Sequence, residues 1–277
     1  MDYIELSIPV ADAEQAEILT AYLSDYPFES FQQEGGTLKA YIPQERMADC
    51  KCEIDALLDQ QGVEGARMVS IEAQNWNAVW ESNFQPVDVD GRVLIRAPFH
   101  AAPAVGVTDI VIMPKMSFGT GHHATTWLMT SVVADGGWVA GREGLDMGSG
   151  TGVLAIAAAK YGAVHVDAVD IDEWACENSR ENIAANGVAD RVTPILGDAS
   201  AIEGRSYDFI LANINRNILL ADMPRYAAAA RTGCRLCMSG ILEADVETVV
   251  ARAAGFGFAH VATRLRDGWA MVETEKM

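Results

Sequence analysis

A short glycine-rich segment within alternating strand and helix patterns constrains the fold of this chain most. The segment runs from Asp146 to Gly152 as DMGSGTG, after an apolar strand pattern and before the helical run VLAIAAAKYGA. From residue 144 onward, strand-like and helix-like segments alternate, and two strand-like runs close the chain. This alternation predicts an α/β domain whose parallel sheet is covered by helices on both faces. Ligands bind such sheets at the carboxyl ends of the strands.

The glycine spacing distinguishes this loop from the dinucleotide-binding fingerprint. Gly148, Gly150 and Gly152 are each separated by one residue, whereas that fingerprint is G-x-G-x-x-G. Asp146 stands directly before the loop, where a carboxylate would repel a pyrophosphate and accept hydrogen bonds from an ammonium group. S-adenosylmethionine carries an ammonium group, a ribose and an adenine but no phosphate, and glycines let backbone amides approach it closely. We therefore expect Asp146, Gly148 and Gly150 to bind this cofactor.

Acidic residues also follow the next two predicted strands. Asp170 lies 22 residues after Gly148, where a carboxylate can accept both ribose hydroxyls. Asp198, in the segment GDA after the third strand, is placed to reach the adenine amino group. A glycine loop alone is most often a mere connection, but three acids in register on consecutive strands favour one nucleoside site.

The fourth predicted strand ends at Asn213, within LANIN. Methyl transfer is an in-line displacement that needs a free lone pair on the acceptor. An asparagine oxygen can accept an amine N–H and orient that lone pair without protonating the amine. We therefore predict that Asn213 is catalytic and also contacts the cofactor; the alternative is a residue that only caps a strand end.

The first part of the chain has a different pattern. Its order of strands and helices, β-α-β-β-α-β, predicts a ferredoxin-like α+β domain over residues 1–74. It holds no nucleophile, metal cluster or phosphate loop, so we expect a substrate-recognition or packing module. Residues 75–86 are predicted to form a linker helix, in which Trp76 and Trp80 either join the domains or line a substrate wall. Residues 87–277 form the predicted catalytic domain.

Composition and net charge indicate the cellular compartment and the kind of binding partner. The chain has 277 residues, five cysteines and a net charge of −19. No signal peptide or membrane span is evident, so we expect a cytoplasmic protein with reduced thiols. The acidic surface disfavours direct nucleic-acid binding and would favour a basic partner, although acidity also serves solubility.

Histidine and cysteine pairs raise the question of a metal site. His122 and His123 are adjacent, and adjacent residues in an extended loop point apart, so packing or local hydrogen bonding is favoured over metal binding. Cys234 and Cys237 lack the second pair that a zinc site requires. We expect no metal, and we expect these cysteines, like Cys50 and Cys52, to be buried thiols.

Several segments together resemble one known family. They are WNAVWESNFQPV, FGTGHHATT, LDMGSGTGVLAIAAAKYGA, VDID, LANI and SGIL. Over most of its length the chain is similar to the bacterial methyltransferases that modify large-subunit ribosomal protein eleven. The resemblance implies a ferredoxin-like domain followed by a seven-strand Rossmann-like methyltransferase domain. It also implies S-adenosylmethionine-dependent methylation of lysine side-chain amines and the N-terminal amine of that basic protein.

By position, the family's cofactor contacts fall on four residues: Thr126, Gly148, Asp170 and Asn213. On this interpretation the loop MSFGTGHHATT, residues 116–126, arches over the methionine end of the cofactor. Gly119 and Gly121 permit the bend, and Thr120 and Thr126 offer hydroxyls and amides. The chain departs from the family pattern at Lys115, often glycine, and at Asn215, often leucine.

Two other classes of function remain open at this point. One is a methyltransferase of the same fold that acts on another protein or a small molecule. The other is a dehydrogenase or a non-enzymatic binding module, against which the loop spacing and Asn213 argue. Which amines are modified, how many methyls each receives, the oligomeric state and the extent of domain movement are not determined by the sequence.

Overall fold

The computed structural model describes residues 3–71, 85–115, 119–135 and 137–277. The chain divides into two compact units, Met1–Asn83 and Phe84–Met277. Trp76, Trp80 and most of the predicted linker helix lie outside the described residues, as do residues 116–118 of the predicted loop.

The first unit has the β-α-β-β-α-β order that the sequence predicts. Its sheet has the strand order β2-β3-β1-β4, and every neighbouring pair is antiparallel. Asp12 begins the first helix by accepting the backbone N–H of Gln15 at 2.9 Å. Buried apolar side chains such as Leu6, Leu19 and Ile54 join the helices to the sheet. The elements are β1 (Tyr3–Pro9), α1 (Ala13–Leu23), β2 (Ser30–Glu34), β3 (Thr37–Pro43), α2 (Gln44–Gln60) and β4 (Arg67–Ile71).

The second unit is built on a seven-stranded sheet with the order β10-β9-β8-β11-β12-β14-β13. The five strands from β10 to β12 are parallel, and the closing pair, β14 and β13, is antiparallel. The α/β class predicted from the alternating pattern is confirmed. The elements of this sheet and its helices are α3 (Ala124–Ala134), β8 (Glu143–Met147), α4 (Val153–Lys160), β9 (His165–Asp170), α5 (Glu173–Ala185), β10 (Val192–Leu196), β11 (Tyr207–Asn213), α6 (Arg216–Ala229), β12 (Ala230–Leu242), α7 (Val246–Ala254), β13 (Phe258–Arg266) and β14 (Trp269–Lys276).

Close packing explains the small residues at the centre of this sheet. A Cβ on Gly144 would lie 2.0 Å from the ring of Phe209 on the neighbouring strand, so only glycine fits there. The helix α4 is buried from Val153 to Ala159 and consists largely of alanine, which lets it lie close to the sheet. The sheet order reverses between β8 and β11, and such a switch point is where a ligand crevice forms.

A second, three-stranded sheet precedes the large one. It consists of β5 (Val87–Val89), β6 (Val93–Arg96) and β7 (Thr108–Val111), with β6 in the middle. The apolar runs GRVLIRAPF, residues 91–99, and DIVIMP, residues 109–114, predict β6 and β7, but no such run predicts β5, which has only three residues. None of the helices within the described ranges combines the length and apolar character that crossing a membrane requires.

One expectation about the cysteines is wrong. Cys50, Cys234 and Cys237 are buried as expected, but Cys52 is exposed. Two residues on a helix are about 200° apart, so a helix that buries Cys50 against the sheet turns Cys52 away from it.

Candidate active site

The glycine loop is held at the carboxyl end of β8 by the neighbouring strand. The backbone N–H groups of Gly148 and Ser149 donate to the carbonyl oxygen of Val169 at 2.8 and 3.0 Å. Gly148, Gly150 and Gly152 all have positive φ, at +71°, +54° and +79°. This left-handed conformation favours glycine, so the spacing of the three glycines follows from the shape of the loop.

A cavity of about 440 Å³ opens at the carboxyl ends of the strands. That volume lies within the roughly 300–1,000 Å³ that is usual for small-molecule sites. Five of the sequence-predicted site residues line it: Gly148, Gly150, Asp170, Asp198 and Asn213. The structure thus brings together residues from four strand ends that are up to 65 positions apart in sequence.

The carboxylate of Asp170 organises the loop beside it. One oxygen accepts the backbone N–H of Gly150 at 2.8 Å, and the other accepts that of Asp172 at 3.0 Å. Asp198 is anchored similarly, because one of its oxygens accepts both the N–H and the hydroxyl of Ser200. These hydrogen bonds to Ser200 lower the pKa of Asp198. Both carboxylates are therefore fixed acceptors at the wall of the cavity.

Asp146 lies beneath the loop and does not line the cavity. Its Oδ2 accepts the backbone N–H of Ala155 at 3.0 Å, while its Oδ1 is buried and has no hydrogen-bond partner among the described residues. Burial raises its pKa from 3.8 to about 7, against the Ala155 hydrogen bond and with a smaller contribution from Asp170. An unpaired carboxylate oxygen fits a cationic donor, because such a donor would stabilise the ionised form.

This pKa gives a testable pH dependence of stability. The folded state keeps its proton on Asp146 up to about pH 7, whereas the unfolded chain loses it near pH 3.8. As the pH rises from 3.8 to about 7, the ligand-free protein should therefore lose up to about 1.4 kcal/mol of unfolding free energy per pH unit relative to Asp146→Asn. Above about pH 7 it should lose no more. Urea titrations of both proteins from pH 4.5 to 8 would measure it. Parallel pH profiles for the two proteins would contradict this.

Asn213 lies at the tip of β11 and contacts a second predicted residue. Its Nδ2 donates to Thr126 Oγ1 at 3.4 Å, and its Oδ1 is buried without a hydrogen-bond partner among the described residues. A buried acceptor without a partner costs about 1–3 kcal/mol, which an N–H donor from a ligand would remove. Thr126 is buried at the start of α3 and positions the amide of Asn213 without lining the cavity.

The backbone after Asn213 passes very close to Gly240 on β12. Gly240 has φ +81°, and a Cβ there would lie 2.4 Å from the carbonyl oxygen of Ile214. Only glycine permits this approach, so the segment SGIL holds the strand tip that carries Asn213 in place.

Replacing Gly240 tests the importance of the close contact between Gly240 and the Ile214 backbone. Gly240→Ala should lower the unfolding free energy by more than the roughly 1–2 kcal/mol that left-handed alanine costs, because the Ile214 peptide must also move. Gly233→Ala is the matched control, since Gly233 has φ +77° on the same strand and a Cβ added there would meet no atom within 4 Å. Denaturant titrations that give equal losses for both variants would show that the close approach is unimportant.

The loop before α3 bends at the two glycines that the sequence identifies. Gly119 and Gly121 have φ +107° and +93°, and Thr151 of the glycine loop donates its hydroxyl to the carbonyl oxygen of Gly119 at 2.8 Å. The hydroxyl of Thr120 lies 3.2 Å from Nδ1 of His122 and outside the lining of the cavity. Its role as a cofactor contact stays a prediction.

The two histidines take part in local contacts. His123 begins α3, with its Nδ1 3.3 Å from the backbone N of Thr125, and its ring packs edge-on against Trp269. Nε2 of His122 lies 2.8 Å from the carbonyl oxygen of Gln85. Across the described ranges, no three side chains of the metal-binding types lie together.

Sequence reasoning missed several residues that line the cavity. Ile171 and Asp172 directly follow Asp170, and Ile218 and Asp222 share one face of α6 at a spacing of four. That spacing is the one signal that could have identified the helical pair. Burial raises the pKa of Asp222, which pairs with Arg225 at 3.1 Å. Asn215 also has a local function, because its side chain begins α6 by accepting the N–H of Ile218.

The donors and acceptors of the cavity define the ligand that fits. Its wall offers four carboxylates, those of Asp170, Asp172, Asp198 and Asp222. The unpaired oxygens of Asp146 and Asn213 lie close to the same strand ends. These groups suit a ligand that donates hydrogen bonds through hydroxyl and amino groups, and they oppose a phosphate. S-adenosylmethionine has that chemistry.

Comparison with known proteins agrees with this chemistry. A family model described as ribosomal protein L11 methyltransferase matches residues 6–277. A protein of that name from Porphyromonas gingivalis is 42% identical over 260 residues, which cover 92% of this chain and 88% of that protein. One from Phocaeicola vulgatus is 37% identical over 280 residues and 99% of each chain.

Solved structures give the same result. The crystal structure of a ribosomal protein L11 methylase from Lactobacillus delbrueckii subsp. bulgaricus is 25% identical, with a TM-score of 0.65, and covers 70% of this chain and 100% of that one. A methyltransferase from Pyrococcus furiosus, 15% identical with a TM-score of 0.50 over 60% of this chain and 88% of that one, shares the fold.

Proposed function

The chain belongs to the ribosomal protein L11 methyltransferase family, and from this we propose that it transfers methyl groups from S-adenosylmethionine to amines of ribosomal protein L11. We propose lysine side chains and the N-terminal amine as the acceptors. The observation that carries the proposal is that Gly148, Asp170, Asp198 and Asn213, from four strand ends, line one cavity.

The residues of the cavity have distinct roles in binding the cofactor. Asp170 would accept hydrogen bonds from the ribose hydroxyls, and Asp198 would accept one from the adenine amino group. The backbone amides of Gly148 and Gly150 would contact the ligand. From beneath the loop, the unpaired Oδ1 of Asp146 would accept a hydrogen bond from the ammonium group, which would favour the ionised form of this carboxylate. When bound, S-adenosylmethionine supplies a methyl group carried on a positively charged sulfur.

Asn213 orients the acceptor amine. Its Oδ1 accepts an N–H of the neutral amine and leaves the nitrogen lone pair directed at the methyl group. A free lysine has a pKa of about 10.4, so keeping it neutral at pH 7 costs roughly 4.6 kcal/mol. Desolvation of the amine, together with the positive charge that the bound cofactor carries, would lower that pKa, with water as the proton acceptor.

The direct test is transfer of a labelled methyl group. The protein would be incubated with S-adenosylmethionine labelled in the methyl group and with purified large-subunit ribosomal proteins. Label in the L11 band, at lysine and N-terminal amines, is the expected result. Label in another protein or in a small molecule would support a methyltransferase of the same fold with a different substrate.

The acidic net charge of the chain supports a basic protein partner. The chain carries a net charge of −19, which would speed its encounter with a basic ribosomal protein. The same charge disfavours direct contact with nucleic acid. We expect the association rate with L11, measured by stopped flow, to fall at least about tenfold between 20 and 300 mM salt. If the association rate does not change with salt concentration, the acidic charge does not steer binding and serves solubility alone.

Substrate recognition and methyl transfer belong to different parts of the chain in this proposal. We propose that residues 1–74 recognise the protein substrate, that 75–86 link the domains, and that 87–277 bind the cofactor and perform the transfer. A small-molecule methyltransferase would need no separate recognition domain.

A further inference from the structure

A row of asparagines, two on α5 and one directly after its last residue, takes the place of a neighbouring strand at the edge of the three-stranded sheet. Strand β7 has β6 on one side and no strand on the other within the described residues. Asn186 accepts the backbone N–H of Val111 at 2.9 Å and donates to the carbonyl oxygen of the same residue at 2.6 Å. Asn182 accepts the N–H of Met113 at 2.8 Å. The helix therefore supplies the hydrogen bonds that a neighbouring strand would make.

The geometry of the two elements explains the spacing of the row. Asn178, Asn182 and Asn186 are four residues apart, which is a rise of about 6 Å along a helix. Val111 and Met113 are two residues apart, which is about 6.6 Å along an extended chain. Alternate residues of the segment thus meet successive turns of α5.

Asn182 makes two further hydrogen bonds, and the one to the glycine loop has no counterpart at Asn186. Its Nδ2 donates to the carbonyl oxygen of Thr151 at 2.9 Å and to Asn178 Oδ1 at 2.6 Å. Asn182 and Thr151 are fully buried, and neither lines the cavity. Asn182 therefore joins the glycine loop directly to the segment at Met113.

Thr151 continues this connection to the loop before α3. Its hydroxyl donates to the carbonyl oxygen of Gly119, so the chain is tied at Met113 and again at Gly119. Both connections, one through Asn182 and one directly to Gly119, are made by Thr151, which follows Gly150 of the cavity wall. Backbone amides bind a ligand well only when their positions are fixed.

We propose that Asn182 and Thr151 form a positioning pair that fixes the glycine loop against the segments at Met113 and Gly119, and thereby sets the affinity for the cofactor. The pair acts through Gly148 and Gly150 and does not touch the ligand. This inference rests on the proposed function, because its ligand is S-adenosylmethionine.

The experiment compares Asn182 with Asn186. Both form hydrogen bonds to the backbone at the edge of the three-stranded sheet, but only Asn182 also bonds to the glycine loop. Asn182→Ala and Asn186→Ala should both lower the melting temperature. Only Asn182→Ala should raise the Kd of S-adenosylmethionine, by about tenfold in calorimetry well below the melting temperature, with a matching rise in KM and kcat retained. Thr151→Val should raise the Kd similarly, because it loses the tie to Gly119.

The outcomes separate this inference from the proposed function. Wild-type affinity in Asn182→Ala, or an equal loss in Asn186→Ala, would show that the row only covers the edge of β7 and would overturn the proposal. If Asn182→Ala does not fold, Thr151→Val decides alone: a raised Kd supports the pair and an unchanged Kd overturns it. Failure of the wild-type protein to bind S-adenosylmethionine would instead overturn the proposed function.

Discussion

Asn213→Ala should lower kcat by at least about a hundredfold while the fold and the affinity for S-adenosylmethionine are largely kept. The reason is that Asn213 Oδ1 is the acceptor that orients the amine, and loss of orientation costs about this much in rate. The variant keeps the four carboxylates of the cavity wall, so cofactor binding should change little. Steady-state kinetics with L11, together with calorimetry for the cofactor, would measure both quantities.

Two further variants sharpen this result. Asn213→Asp should also lose turnover at neutral pH, because a carboxylate stabilises the unreactive ammonium form of the acceptor, and part of its activity should return as pH rises. Asn217→Ala, on an exposed position of α6, is the matched control and should keep full activity. Full activity in Asn213→Ala would end the assignment of Asn213 as the catalytic residue.

Asp170→Ala should weaken the binding of S-adenosylmethionine by at least about a hundredfold. Hydrogen bonds to a charged group are worth roughly 1.5–3 kcal/mol each, and the carboxylate accepts both ribose hydroxyls in this account. The substitution also releases the N–H of Gly150, which Asp170 holds at 2.8 Å, so the glycine loop loses an anchor. Calorimetric titration with the cofactor gives the Kd directly.

The control for this variant removes the same charge elsewhere. Asp190 is highly exposed at the opposite end of β10, near Arg191 at 3.7 Å. Asp190→Ala should leave the Kd within about twofold of wild type, since a single distant surface charge is screened by salt. Equal Kd values for Asp170→Ala and the wild type would remove Asp170 from the cofactor site.

Patterns of local origin predicted much of the fold. Period-two and helical patterns predicted the β-α-β-β-α-β order of the first unit and the alternation that leads to the seven-stranded sheet. Acids and an asparagine directly after strand patterns predicted Asp170, Asp198 and Asn213, which the cavity brings together. Strand ends are readable in sequence because the carboxyl ends of parallel strands meet at one edge of the sheet.

Features that depend on tertiary contacts were not predicted. The close approach of Ile214, just after β11, to Gly240 on β12 joins residues 26 positions apart across an intervening helix, and no local pattern marks it. The same holds for Asn182, whose partners Met113 and Thr151 lie 69 and 31 residues away. A polar residue in a helix is usually read as exposed, yet here the missing strand beside β7 makes a buried asparagine favourable.

The most direct test of the account is calorimetric titration of the wild-type protein with S-adenosylmethionine and, separately, with a nicotinamide dinucleotide. We expect saturable binding of S-adenosylmethionine and no binding of the dinucleotide, because the cavity offers carboxylates where a pyrophosphate would lie. Binding of the dinucleotide without binding of S-adenosylmethionine would contradict it.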